Sequence, residues 1–145
     1  MAEKSAVDAG AQPPLVVDLD GTLIKSDLLV EGFFALLRVN FLYFFLTPFW
    51  LLKGKSHFKE QIFSRISVDP RLLPYHGSFL TFLKQQAQSG RELILATACS
   101  ERAAHRVAEH LGIFRSVLAS TSSVNLSGRR KLKAMVETCG ENQFD

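Results

Sequence analysis

Two short aliphatic runs, Leu15-Val16-Val17 and Leu93-Ile94-Leu95-Ala96, stop at polar residues, Asp18 and Thr97, and each is followed by residues at helical spacing. Runs this short and without polar alternation are apolar on both faces, which is how a strand inside a parallel sheet reads. A third run, Ser116-Val117-Leu118-Ala119, extends the pattern. Parallel strands cannot be joined by tight hairpins, so each pair needs a crossover, usually a helix. The spacing predicts one helix over 78–89, with Phe79, Phe82, Leu83 and Ala87 on one face and Gly90 at its end. A second is predicted from a cap at Ser100, presenting Ala104, Val107, Ala108 and Leu111 and closed by Gly112, and a third over 130–139, carrying Leu132, Met135 and Val136. The chain therefore reads as α/β, a parallel sheet with helices on both faces.

Between the first two strands the alternation lapses and the pattern is all-helical. Ser26 is the expected N-cap of a helix with Leu29, Phe33, Leu36 and Leu37 at helical spacing. Pro48 is expected to start or kink a second helical piece, and Phe58, Ile62, Phe63 and Ile66 mark a third. Asp69-Pro70 and Leu73-Pro74 form the return linker. The expected organisation is a flexible tail over 1–14, an α/β core over 15–24 and 76–145, and a helical insertion over 25–75. At 145 residues, with 47% hydrophobic and 21% charged residues, one packed domain is expected and a disordered chain is excluded. A net charge of +3 is too mild to indicate a nucleic-acid partner. Cys99 and Cys139 lie far apart and form no CxxC pair, and Met1 to Gln12 lacks the apolar stretch of a secretory signal. A reducing, cytoplasmic setting is expected.

The residues with the clearest chemistry are Asp18-Leu19-Asp20-Gly21-Thr22, directly after the first strand. Residues at i and i+2 of an extended segment point the same way, so both carboxylates can face one site. That site lies beyond the carboxyl ends of the strands, where open α/β sheets bind ligands. Paired carboxylates attract a hard cation such as Mg²⁺, and once their repulsion is offset one can attack an electrophile while the other moves protons. By itself the pentapeptide also fits a turn that merely ends a strand. A calcium loop would need further acidic positions that the sequence lacks.

Leu15-Val16-Val17-Asp18-Leu19-Asp20-Gly21-Thr22 resembles the first motif of the haloacid dehalogenase (HAD) superfamily of phosphotransferases. Ile94-Leu95-Ala96-Thr97-Ala98 is similar to its second motif, and Lys131, after Asn125-Leu126-Ser127-Gly128, to its third. Ser26-Asp27-Leu28-Leu29-Val30-Glu31, Leu51-Leu52-Lys53-Gly54 and Leu73-Pro74-Tyr75 further resemble the HAD-like domain found in front of UbiA-type polyprenyl transferases. The resemblance implies a HAD-like, Rossmann-type parallel sheet with the helical insertion as a C1 cap. It implies a Mg²⁺-dependent phosphatase or phosphotransferase in which Asp18 is the nucleophile and Asp20 the acid and base, its carbonyl also binding metal. Thr97 would hydrogen-bond the transferring phosphoryl and Lys131 would neutralise its charge. The implied substrate is a small or polyprenyl-linked phosphate ester, with Arg38 and Arg65 in the cap as candidate grips for an anionic group. The fourth motif of the superfamily would follow Gly140, where the sequence gives only Glu141 to Asp145, so an incomplete sheet and metal site are expected. The alternative function is a non-catalytic binding or membrane-docking module derived from a fusion with a prenyl transferase.

Eight of the twelve phenylalanines fall between Phe33 and Phe63. The run from Phe41 to Leu52 is shorter than the roughly 20 apolar residues needed to span a bilayer. Two readings stay open for it: a cap helix packed on its own hairpin, or a patch at the inner face of a membrane with Lys53 and Lys55 at the headgroups.

Overall fold

The computed structural model describes residues 12–120 together with Lys133, Val136 and Glu137. Those three positions are helical, and Lys133 and Glu137 face each other at 3.8 Å. The rest of the helix predicted over 130–139, Lys131 included, lies outside the described residues.

Three strands, β1 (Leu15–Asp18), β2 (Leu93–Ser100) and β3 (Ser116–Ser120), form a parallel sheet in the order β1-β2-β3. Val17 pairs with Leu95, Asp18 with Ala96, and Ala96 with Leu118, so all three carboxyl ends open toward one edge. The central strand is the most apolar, with Leu93 through Thr97 all buried. It runs on through Ser100, further than its aliphatic pattern predicts. Cys99 is still buried there, and the pairing with β3 is irregular between Ala96 and Ser100.

Five helices, α1 (Leu28–Val39), α2 (Tyr43–Leu52), α3 (Lys55–Arg65), α4 (Gly77–Gln88) and α5 (Glu101–Leu111), accompany the sheet. In α5 the buried residues are Ala103, Ala104, Val107 and Ala108, and these small side chains let the helix lie closely over β2 and β3. The helix ends on Gly112, whose φ of 63° is the left-handed conformation that favours glycine at a C-terminus. Leu83 is the buried anchor of α4, which packs on β2.

The helical segment between β1 and β2 differs in detail from its pattern. Asp27, not Ser26, is the N-cap of α1, its carboxylate accepting the Leu29 N–H at 2.7 Å. The Ser26 hydroxyl is buried without a hydrogen-bond partner. The break after α1 falls at Asn40, whose side-chain oxygen accepts the Leu42 N–H, and α2 already begins at Tyr43. Pro48 is therefore carried inside α2 rather than at its start.

Two backbone bonds tie the ends of this segment together. The His76 N–H donates to the Leu23 carbonyl at 2.9 Å, and the Lys25 N–H to the Pro74 carbonyl at 2.8 Å. Around this neck Leu23, Ile24 and Leu73 are buried. The Tyr75 hydroxyl donates to the Pro70 carbonyl, and partial burial pushes the phenol up to about 12. One continuous hydrophobic cluster runs from the sheet through Leu19, Leu28 and Leu36 to Ile62 and Phe63 of α3. Among the described residues no helix is long and apolar enough to cross a membrane.

Candidate active site

The turn after β1 is built by burial. Leu19, Leu23 and Ile24 are fully buried, so the backbone between them has to fold back on itself. The Leu23 N–H meets the Asp18 and Leu19 carbonyls, the Ile24 N–H the Leu19 carbonyl, and the Gly21 N–H the Ser26 carbonyl. Gly21 takes a φ of 72°, which a side chain would strain. With Leu19 pointing into the core, Asp18 and Asp20 on either side of it are held at the carboxyl end of the sheet, each half-buried.

Asp20 is bound on two sides. Its Oδ1 accepts the Leu28 N–H at 2.8 Å, one of the unpaired donors at the start of α1. Its Oδ2 faces the Thr97 hydroxyl at 3.5 Å. Thr97 is fully buried, and its Oγ1 also accepts the Cys99 N–H at 3.0 Å. A single hydroxyl thus links β2 to the carboxylate above β1, although Thr97, expected to end the strand, lies inside it because β2 continues to Ser100.

The electrostatics are crowded. Burial lifts the Asp20 carboxyl above its ordinary range, and the charges of Asp27 and Asp18 push it further, against the Leu28 N–H and Lys59, which draw it down. Lys59 reaches in from α3 and donates to the Ala98 carbonyl at the end of β2. Desolvation holds its ammonium below the usual lysine value, with Lys55 adding to the depression, while Cys99, Asp20 and Asp27 oppose it. The Cys99 thiol is pushed up to about 12, first by burial and then by Asp20, so it stays protonated and is not a nucleophile.

Asp18, Asp20 and Thr97 are thus gathered at one edge of the sheet, and Lys59 joins them. Sequence patterning does not single out Lys59, yet it carried a signal. Lys59 lies three and four residues before the buried Ile62 and Phe63, on the apolar side of α3, and a lysine there must turn inward or snorkel. The two cap arginines are placed elsewhere. Arg38 is exposed in the last turn of α1. Arg65 stacks on Trp50 at 5.0 Å, bonds to Gln61 within its own helix, and lines a cavity of about 240 Å³ with Arg102 and Arg106.

The donor set at this edge is hard oxygen. Burial first, and then the like charges of Asp27 and Asp18, raise Asp20, and a divalent cation beside the carboxylates would relieve the repulsive part, so these oxygen donors suit Mg²⁺. Among the described residues no three His, Cys, Asp or Glu side chains cluster tightly enough to hold a metal by themselves. Any such ion would keep several waters.

Comparison with known proteins adds the following. No family model matches the chain. It is 38% identical over 135 residues to the uncharacterized protein y4nM of Sinorhizobium fredii (strain NBRC 101917 / NGR234), covering 88% of this chain and 25% of that protein. The chain thus spans about a quarter of the length of that curated relative. Among solved structures it resembles a HAD family hydrolase, t0658, from Salmonella enterica subsp. enterica serovar Typhi, with a TM-score of 0.59 and 12% identity over 87% of this chain and 52% of that one. It also resembles a phosphoserine phosphohydrolase-like protein from Francisella tularensis subsp. tularensis SCHU S4, with a TM-score of 0.56 and 15% identity over 92% of this chain and 76% of that one. The parallel sheet, the order of its elements and these two likenesses together identify the fold as HAD-like and Rossmann-type.

Proposed function

We propose that this protein is a Mg²⁺-dependent phosphatase or phosphotransferase that works through an aspartyl phosphate on Asp18. The observation that carries this reading is the fixed Asp20 carboxylate, bonded to the Leu28 N–H and facing Thr97, beside Asp18 at the carboxyl end of a parallel sheet. The HAD-like fold shared with a phosphoserine phosphohydrolase-like protein supports it.

A carboxylate oxygen of Asp18 attacks phosphorus, and the ester P–O bond breaks. Asp20, whose raised acidity range suits it to hold a proton, gives that proton to the departing oxygen. Asp20 then takes a proton from water as the water oxygen attacks the same phosphorus. The acyl phosphate is cleaved and inorganic phosphate leaves. Asp18 and Asp20 would hold Mg²⁺, which when bound would supply charge neutralisation for the transfer. Lys59 adds positive charge from α3, in the part of the site that α1 to α3 cover as a cap. Lys131, which lies outside the described residues, is assigned the charge-neutralising role that the third-motif resemblance implies. The substrate of this reading is a small or lipid-linked phosphate ester, and its compartment the cytoplasm.

Hydrolysis of an aryl phosphate with Mg²⁺ tests this reading. Asp18→Asn removes the nucleophile, and activity is expected to fall about a thousandfold or more. Chelation is expected to do the same. Activity that survives either treatment contradicts the assignment.

A further inference from the structure

All but two of the exposed large apolar side chains among the described residues, Leu72 and Phe82, lie between Val30 and Leu52 on α1, α2 and the turn joining them. Helix α2 turns one side inward and leaves the other, apolar, side exposed. Trp50 is buried and Tyr43 half-buried against Arg65, whereas Phe49 is 65% and Leu52 85% exposed. The inner side of α2 already has its partners, so its outer side is not a core waiting to close. Phe41, Phe44 and Phe45 pack on one another, with Phe41 and Phe44 stacked at 5.6 Å and Phe44 edge-on to Phe45 at 5.8 Å, and hold a ready-formed aromatic surface.

We infer that this face docks on an anionic lipid bilayer, lying in its interface. Charge decides between occupants. No Asp or Glu occurs between Glu31 and Glu60, while Arg38, Lys53 and Lys55 are exposed at the two ends of α2. Apolar side chains flanked by cations fit an acyl boundary beneath anionic headgroups. A second copy brought face to face would set those same cations against each other, with no carboxylate anywhere over residues 32–59 to answer them. With ten residues, α2 is far short of the roughly 20 needed to span, so it lies flat.

Vesicle flotation tests this with a readout independent of phosphatase activity. The chain is expected to float with phosphatidylcholine vesicles containing phosphatidylserine, and at least about tenfold less with phosphatidylcholine alone. Combined Phe44→Ser, Phe45→Ser and Phe49→Ser is expected to abolish flotation. Emission of Trp50, the sole tryptophan, and the melting temperature should stay unchanged, since all three side chains are exposed. Combined Lys53→Glu and Lys55→Glu leaves the apolar face intact and should erase the preference for anionic vesicles, so a misfolded serine variant would not rescue the proposal. Absence of flotation, or flotation indifferent to both variants, overturns it. So does a parent dimer that the serine variants dissociate, which would assign the face to a second copy.

Discussion

Asp20 is held where its charge costs most. Its folded acidity range lies above the unfolded one, so the folded state binds the proton more tightly. The stability this gives is fully present below the ordinary carboxylate range and is lost as pH rises through the raised value. Above the raised value the ionised carboxylate is therefore a burden on the fold. Asp20→Asn keeps an oxygen for the Leu28 N–H and an amide for Thr97. In metal-free buffer at neutral pH it is expected to raise the melting temperature by a few degrees, with the gain shrinking toward acid pH, while phosphatase activity is lost. A thermal melt series across pH checks the sign, and a destabilised variant at neutral pH would refute it. Beside it, Ser26 and Asp27 give opposite expectations. Ser26→Ala removes a buried hydroxyl with no partner and should stabilise by about 0.5 to 1 kcal/mol. Asp27→Ala removes the α1 cap and should cost about 1 kcal/mol. Urea titration of the pair decides whether Asp27 is the working cap.

Among the elements, α1 and α3 meet closely at Gly32. A Cβ added there would come within 3.0 Å of the Phe63 ring and 3.1 Å of an Ile62 methyl, both buried. Alanine gains about 1 kcal/mol of helix propensity over glycine, and overpacking a core typically costs about 1 to 3 kcal/mol. Gly32→Ala is therefore expected to destabilise by roughly 1 kcal/mol net in chemical denaturation, and a stabilised variant would show that the α1–α3 contact gives way easily. The same helix pair delivers Lys59 to the sheet edge. Lys59→Met, which keeps the apolar stem, should slow turnover at least about tenfold in a steady-state phosphatase assay with little change in melting temperature. These elements were legible in the sequence to unequal degrees. The strands were plain, because Leu15 to Val17 and Leu93 to Ala96 are too apolar and too short for anything but a buried sheet. Leu83, Val107 and Ala108 likewise showed the inner faces of α4 and α5, although Phe82, read onto the same face as Leu83, is exposed. The start of α1 was misplaced because Ser26 and Asp27 are both good caps, and only the buried position of Ser26 separates them. Lys59 escaped notice because its role depends on how α3 lies against β2, a tertiary fact that no local spacing encodes.

Across the whole molecule, one hydrophobic cluster joins the sheet to the helices between β1 and β2, and the carboxylate site sits where they meet. The Leu28 N–H bond joins Asp20 to the start of α1, while the neck bonds at Leu23–His76 and Lys25–Pro74 close the helical segment at its base. A ligand gripped by α1 to α3 would therefore act directly on Asp20. The carboxylate pair itself was readable from Asp18-Leu19-Asp20 alone, since alternation about a buried leucine forces both acids to one side. Its supports were legible only in part: Thr97 was singled out as a site residue but not as a partner of Asp20, and no local spacing indicates that the Leu28 N–H folds back onto the carboxylate. The most direct measurement is chemical trapping of the intermediate. After incubation with a phosphate ester and Mg²⁺, borohydride should reduce an acyl phosphate at Asp18 to homoserine, and peptide mass spectrometry should find that change at Asp18 only, and only when substrate was present. Turnover with Asp18 unmodified, or with the change at another carboxylate, would contradict it.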